Sequence, residues 1–251
     1  MKAEQIQQNW DKLLKYIEEN VTGERKERLL DFYKKYEDRL SIMPASNKKQ
    51  YHNAFPGGYV DHVIRVIECS FDLYSLWKSK GADISTFTKE ELFFSALNHD
   101  LGKMGSSEEE AFIPQTDSWR KDKLGEDYTF NTKLEFASVP DRGLFLLQSH
   151  GVQYTFNEMV AIQTHDGLYD EANKKYLMSF LPEAKPRTCL PYIIHQADLM
   201  AARIEFEREW LSELNGANKP KQTEKPKKVP VRQKALKQIQ NPNLAKIFDK
   251  L

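Results

Sequence analysis

Apolar and aromatic residues in the first forty positions recur every three or four places: Trp10, Leu13, Leu14 and Ile17, then Leu29, Leu30, Tyr33, Tyr36 and Leu40. Residues at that spacing share one face of a helix, so the pattern predicts two helices, broken near Val21-Thr22-Gly23. The stretch SIMPASNKKQYHNAFPGG that follows carries Pro and Gly and predicts a loop. Val63, Val66, Ile67 and Ser70 lie on one stripe of a helix predicted from about Tyr59 to Ser79, with Gly81 past its end. Thr88 followed by Glu91 marks a capping box ahead of the apolar run in TFTKEELFFSALNHD.

Residues 104–140 are polar, hold Pro114, Gly125 and Pro140, and show no sustained period, which predicts a long, lid-like insertion. RGLFLLQSH and TFNEMVAIQTH predict two short helices around Gly151. RTCLPYIIHQADLMAARIEFEREWLSEL predicts one long helix with Pro191 near its start. Strand alternation is scarce and no internal repeat is visible, so the expected class is all-α. From Gly216 the chain turns to GANKPKQTEKPKKVPVRQKALKQIQ and closes with the short amphipathic NLAKIFDKL. The expected division is a helical extension over 1–40 packing on the core, a main domain over 41–215, and a basic linker with a short segment over 216–251.

Composition adds limits to this picture. A chain of 251 residues can bury one substantial core. It has no apolar span near the ~20 residues a membrane helix needs, and its polar first segment lacks a signal-like apolar block. Cys69 and Cys189 are too few and too far apart for a disulfide framework and are expected to be free thiols. These features predict a soluble, cytoplasmic protein with no membrane contact. The formal net charge of zero hides an asymmetry: from Gly216 onward ten Lys and Arg face only Glu224 and Asp249, leaving +8 there and −8 on the preceding residues. An acidic body suits a cation site, and a basic tail suits contact with nucleic acid or plain solvation.

The six histidines, His52, His62, His99, His150, His165 and His195, all fall at or near segment ends. Three are coupled to aspartates: His99-Asp100, His165-Asp166, and His195 three residues before Asp198. Helix neighbours point about 100° apart, so His99 and Asp100 converge only where a helix ends, as it does beside Gly102. His62 can approach from the preceding helix and Asp198 from the long later one. Imidazole nitrogens with carboxylate oxygens suit Mn, Fe, Co, Ni or Zn, with no need of either cysteine.

The set His62, His99-Asp100 and Asp198 resembles the signature of the HD superfamily of metal-dependent phosphohydrolases. MPASNKKQYHNAFPGGYVDH is similar to the histidine–aromatic–Gly–Gly entry of the bacterial 3′–5′ exoribonuclease and relaxase-associated branch. LNHDLGK resembles the HD-x-GK core, EMVAIQTHDGLYD the later histidine segment and HQADLMAA the closing aspartate helix; coverage is roughly 40–210. The resemblance implies an HD-type helical bundle in which His62, His99, Asp100 and Asp198 ligate one divalent transition metal per chain. It places Lys103 near a phosphate oxygen and His165 on the same cavity, as substrate contact, proton donor or part of a second metal site. One departure concerns the second site: two-metal relatives start the preceding helix with a histidine, where this chain has Val139-Pro140-Asp141. His150 sits about two turns too late, at the exposed end of that helix, while Asp141 could supply an oxygen.

The implied chemistry is hydrolysis of a phosphomonoester or phosphodiester, on a nucleotide or nucleic-acid 3′ end, by metal-activated water. Asp100, Lys103 and His165 are the catalytic candidates, and His52, Lys103, Arg120, Lys121 and His165 the substrate contacts. Tyr51, Phe55 and Tyr59 in the loop, and Trp119 and Tyr128 beside Arg120, Lys121 and Lys123, offer surfaces for a base. Two other readings stay open: a di-iron oxygenase acting on a small molecule, and a non-catalytic nucleotide-binding or adaptor protein.

Overall fold

The computed structural model describes residues 1–211; the basic linker and the NLAKIFDKL segment lie outside the described residues. The chain begins with α1 (Ala3–Asn20), α2 (Gly23–Lys35) and the single turn α3 (Glu37–Leu40). The apolar stripes meet as the spacing requires: Ile6, Trp10, Leu13 and Ile17 of α1 and Leu29, Phe32 and Tyr33 of α2 are buried. They belong to the same hydrophobic cluster as the helices that follow. Each fully buried side chain of this size contributes about 1.5–3 kcal/mol through removal of apolar area from water.

A loop leads into α4 (Gly58–Ser79), and Thr88 then caps α5 (Lys89–Asn98) through a reciprocal bond with Glu91. Helix α6 (Ser118–Leu124) lies in the insertion, followed by α7 (Val139–Ser149), α8 (Phe156–Thr164), the turn α9 (Lys174–Leu177) and α10 (Leu190–Phe206). Pro191 sits in the first turn of α10, where its missing N–H costs no intrahelical bond. A π-helical turn, Glu207–Leu211, continues the helix. Helices α4, α5, α8 and α10 form a closed ring of packed neighbours: α4 on α5, α5 on α8, α8 on α10, and α10 on α4. The fold is all-α, and among the described residues no helix is long and apolar enough to cross a membrane.

The insertion is more ordered than its composition predicts. Strands β1 (Phe112–Pro114) and β2 (Tyr128–Phe130) pair antiparallel, with Phe112 opposite Phe130, on either side of α6. Three-residue strands are too short to show alternation in sequence. An isolated bridge, Lys48 to Glu126, ties the hairpin to the 41–57 loop. The Lys48 ammonium also pairs with the Glu126 carboxylate at 2.9 Å, and the Lys49 N–H donates to Gly125 O at 2.9 Å.

Candidate metal centre

Each helix of the ring delivers one part of the centre: α4 carries His62, the ends of α5 and α8 carry His99-Asp100 and His165, and α10 carries Asp198. The adjacent pair converges because the helix stops between its members. His99 keeps helical angles (φ −54, ψ −41), whereas Asp100 leaves them (φ −105, ψ 9) and opens a 3₁₀ turn over Leu101–Met104. That turn must lie against the start of α7: a Cβ at Gly102 would stand 2.0 Å from Val139 O. Tyr33 of α2 braces it from the other side, its hydroxyl donating to Asn98 Oδ1 at 3.1 Å.

The polar atoms cluster closely. His62 Nε2 lies 3.1 Å from Asp198 Oδ1 and 3.7 Å from Asp100 Oδ2; His99 Nε2 lies 3.4 Å from Asp100 Oδ2 and 3.8 Å from Asp198 Oδ1. Ligand atoms about 2.1 Å from a common ion in tetrahedral or octahedral array stand roughly 3.0–3.4 Å apart; the sets here whose atoms all lie within 4.8 Å of one another are His62, His99 and Asp198 on one side and His99, Asp100 and His165 on the other. His165 addresses the other oxygen, with Nε2 3.4 Å from Asp100 Oδ1 and 3.6 Å from Asp166 Oδ2. Overlapping sets with ligand atoms within 4.8 Å of one another also join His52 with His62 and Asp100, and His165 with Asp166 and Asp198.

Two further observations fit a cation. The Nε2 atoms of His62 and His99 are buried without an aligned hydrogen-bond partner, an arrangement folded proteins avoid unless something else satisfies the lone pair. Nδ1 is engaged elsewhere in three of the histidines: His99 donates to Ala96 O at 2.8 Å, His165 to Ile162 O at 2.7 Å, and His62 Nδ1 meets Glu205 Oε2 at 3.0 Å. A carbonyl can only accept, so Nδ1 holds the hydrogen in His99 and His165, and Nε2 is left to face the cluster.

Electrostatics agree. Burial pushes the Asp100 carboxyl up, but Lys103, His99 and His165 outweigh it and hold the group well below the ordinary carboxylate range. Burial likewise opposes ionisation of Asp198, and His62, His99 and His165 overcome it. With protein groups alone, burial disfavours the His62 imidazolium, yet Glu205 and Asp198 raise its pKa to about 10. His165 rises to about 9 against burial, through Asp166 and Asp100. Two carboxylates thus recruit positive charge into a buried site, which a divalent ion would supply in place of protons. His52 goes the other way: burial, then His62 and Lys103, push it well below the ordinary range and keep it neutral.

The centre opens into a cavity of about 600 Å³ lined by Tyr51, His52, Asp100, Lys103, His195 and Asp198, among others. Lys103 Nζ is 2.5 Å from Asp100 Oδ2, so an ammonium stands beside the cluster at the cavity floor. Among the candidate catalytic residues, His165 does not line this cavity; it stands behind the aspartates at 1% exposure. His195 takes the cavity-facing place, its Nδ1 2.8 Å from His165 O.

Other candidates lie apart. Arg120 and Lys121 are on α6 and do not line the cavity; Arg120 Nε donates to Glu126 Oε2 at 2.8 Å and so helps hold the hairpin. Tyr59 is fully buried in the core, and Tyr128 lines a smaller crevice with Met43, Pro44 and Met104. His150 packs on Phe32 and Tyr36, with Nε2 3.0 Å from the Tyr36 hydroxyl, and Asp141 lies at the start of α7; neither joins a ligand set. Glu205 escaped the sequence reading altogether, although it follows Asp198 by seven residues, two turns along the same helix face. Arg65, three after His62, completes that contact, with Nε 2.9 Å from Glu205 Oε1.

No family model, no curated protein and no solved structure matches the chain.

Proposed function

We propose that the protein is a metal-dependent phosphohydrolase of the HD type, acting on a nucleotide or nucleic-acid end. The observation that carries this reading is the quartet His62, His99, Asp100 and Asp198 set beside the Lys103 ammonium at the floor of an open cavity. A bound divalent cation would lower the pKa of water and offset charge building on a phosphoryl group. Lys103 meets a phosphoryl oxygen, being charged, half-buried beside Asp100 and turned to the cavity. His52 is neutral there and orients the same group through Nε2. His195, rather than His165, faces the space where a leaving oxygen departs and is assigned the proton transfer, a role typically worth ~10²–10⁴-fold. His165 belongs with the ion, through the second oxygen of Asp100.

Elemental analysis of the purified protein, followed by nucleotide and oligonucleotide screens with Mn, Co and Ni, tests this. One equivalent of metal, lost in Asp198→Ala, and product release lost in His99→Ala and Asp100→Ala with the fold intact are the expected results. Turnover retained in both of the latter variants overturns the assignment. The His165–Asp166 pair favours a second reading, since it offers ligands for another ion. Two equivalents of iron with oxygen uptake would establish the oxygenase, and ligand binding without turnover the adaptor.

A further inference from the structure

Resting on that reading, we propose that the β1–β2 hairpin is a nucleobase-binding subsite, with Phe130 and Phe112 forming the shelf on which the base stacks. Phe112 and Phe130 are register partners whose rings lie 5.2 Å apart at 39°. Both line the cavity whose floor holds Asp100, Lys103 and Asp198, and Phe130 is 62% exposed there. Tyr51, 52% exposed, enters the same cavity from the loop that carries His52. Exposed aromatic rings gathered beside charged groups suit a ligand with a flat face and an anionic end.

The shelf is held in position relative to the ion-binding end. The Lys48–Glu126 bridge, the Lys49 N–H bond to Gly125 O and the Tyr128 N–H bond to Asn47 O at 3.4 Å join hairpin and loop. Arg120 buttresses the tie through Glu126. A second cation faces the cavity from α10: Arg203 Nη2 donates to the Tyr169 hydroxyl at 2.8 Å, and no carboxylate pairs with it among the described residues. Lys103 and Arg203 thus supply positive charge for phosphoryl oxygens while the hairpin supplies the flat apolar face. The cavity's 600 Å³ lies within the range of small-ligand sites. A small aliphatic phosphate would leave the shelf uncovered, and a lipid tail would meet the charged floor.

The test uses the full-length, metal-loaded protein and calorimetric titration with three probes: a non-hydrolysable adenosine 5′-phosphonate, the matching ribose phosphonate, and inorganic phosphate. The adenosine probe is expected to bind about 5- to 150-fold more tightly than the ribose probe, the range that one base–aromatic stack covers. Phe130→Ala removes that preference, Phe130→Tyr restores it, and affinity for inorganic phosphate stays the same in all three proteins. Phe145→Ala, an equally exposed ring on α7 outside the cavity, leaves the preference intact. A wild-type protein that does not prefer the base-bearing probe, or a Phe130→Ala protein that keeps the preference, overturns the subsite. The hydrolase reading fails separately, if the base-bearing probe binds as described but no ester yields product with any metal.

Discussion

Glu205 Oε2 lies 3.0 Å from His62 Nδ1, both groups buried, while its other oxygen receives the Arg65 guanidinium at 2.9 Å. The carboxylate fixes the His62 ring with Nε2 toward Asp198 and makes that imidazole a stronger donor. Arg65 in turn donates to Asp61 Oδ2 at 3.1 Å, which accepts from Asn53 Nδ2 at 3.0 Å, next to His52 in the cavity loop. Glu205→Gln keeps a hydrogen-bonding group of the same size but loses the charge. It should weaken metal affinity about 10- to 100-fold, as outer-shell carboxylate changes commonly do. Competition against a chromogenic chelator measures this; an unchanged affinity would reduce Glu205 to a packing residue.

Gly167 is a second point of dependence. It adopts φ +58, and a Cβ there would stand 2.0 Å from His195 Cε1. Gly167→Ala must therefore strain the backbone, by roughly 1–2 kcal/mol, and push the imidazole out of its place over the His165 carbonyl. If His195 carries the proton, turnover should fall at least ~10²-fold while metal stoichiometry holds. Steady-state kinetics beside elemental analysis reads both, and full activity in this variant would remove His195 from the chemistry.

Arg120 and Lys121, expected from the sequence as substrate contacts, lie outside the cavity lining. Arg120 is spent on Glu126, and Lys121 is exposed on the same short helix, away from the cavity. Replacing each with Ala should change affinity for inorganic phosphate by no more than about fivefold, the reach of an exposed charge. A larger loss on titration would mean that α6 closes over the cavity with ligand bound.

How much the sequence revealed depended on whether a signal was periodic or local. Helical stripes such as Trp10, Leu13, Ile17 and the capping box Thr88–Glu91 were readable because burial and capping impose fixed spacings. His99-Asp100 was readable because Gly102 marks the helix end that lets both side chains turn inward. The hairpin was not, since its strands are three residues long and its ties to Lys48 and Asn47 are remote in sequence. His195 and His165 look equivalent as residues; only the packing of α10 against the end of α8 puts one on the cavity and the other behind it. Glu205 sits on the same helix face as Asp198, so its periodicity was present, but a carboxylate two turns on ordinarily reads as a solvated charge.

The link between α5 and α8 gives a pH-dependent test of stability that does not touch the metal. Glu91 Oε2 accepts from Thr88 N at 2.7 Å, and Oε1 accepts from Thr155 Oγ1 at 2.7 Å and Asn157 Nδ2 at 3.1 Å. Burial alone would push this carboxyl up, but the donors outweigh it and hold it below the ordinary 4.5. A carboxyl depressed on folding stabilises the native state above its unfolded pKa, and that contribution is lost as pH falls through the folded value. Glu91→Gln should therefore cost about 1–3 kcal/mol at pH 7. The gap between variant and wild type should narrow steadily once pH drops below 4.5. Acid loss at Asp100 and Asp198 is common to both proteins and cancels in the difference. Urea denaturation at several pH values supplies the comparison. A gap that stays constant through the acid range would mean that the charge on Glu91 contributes nothing, and that the shape of the side chain alone joins the two helices.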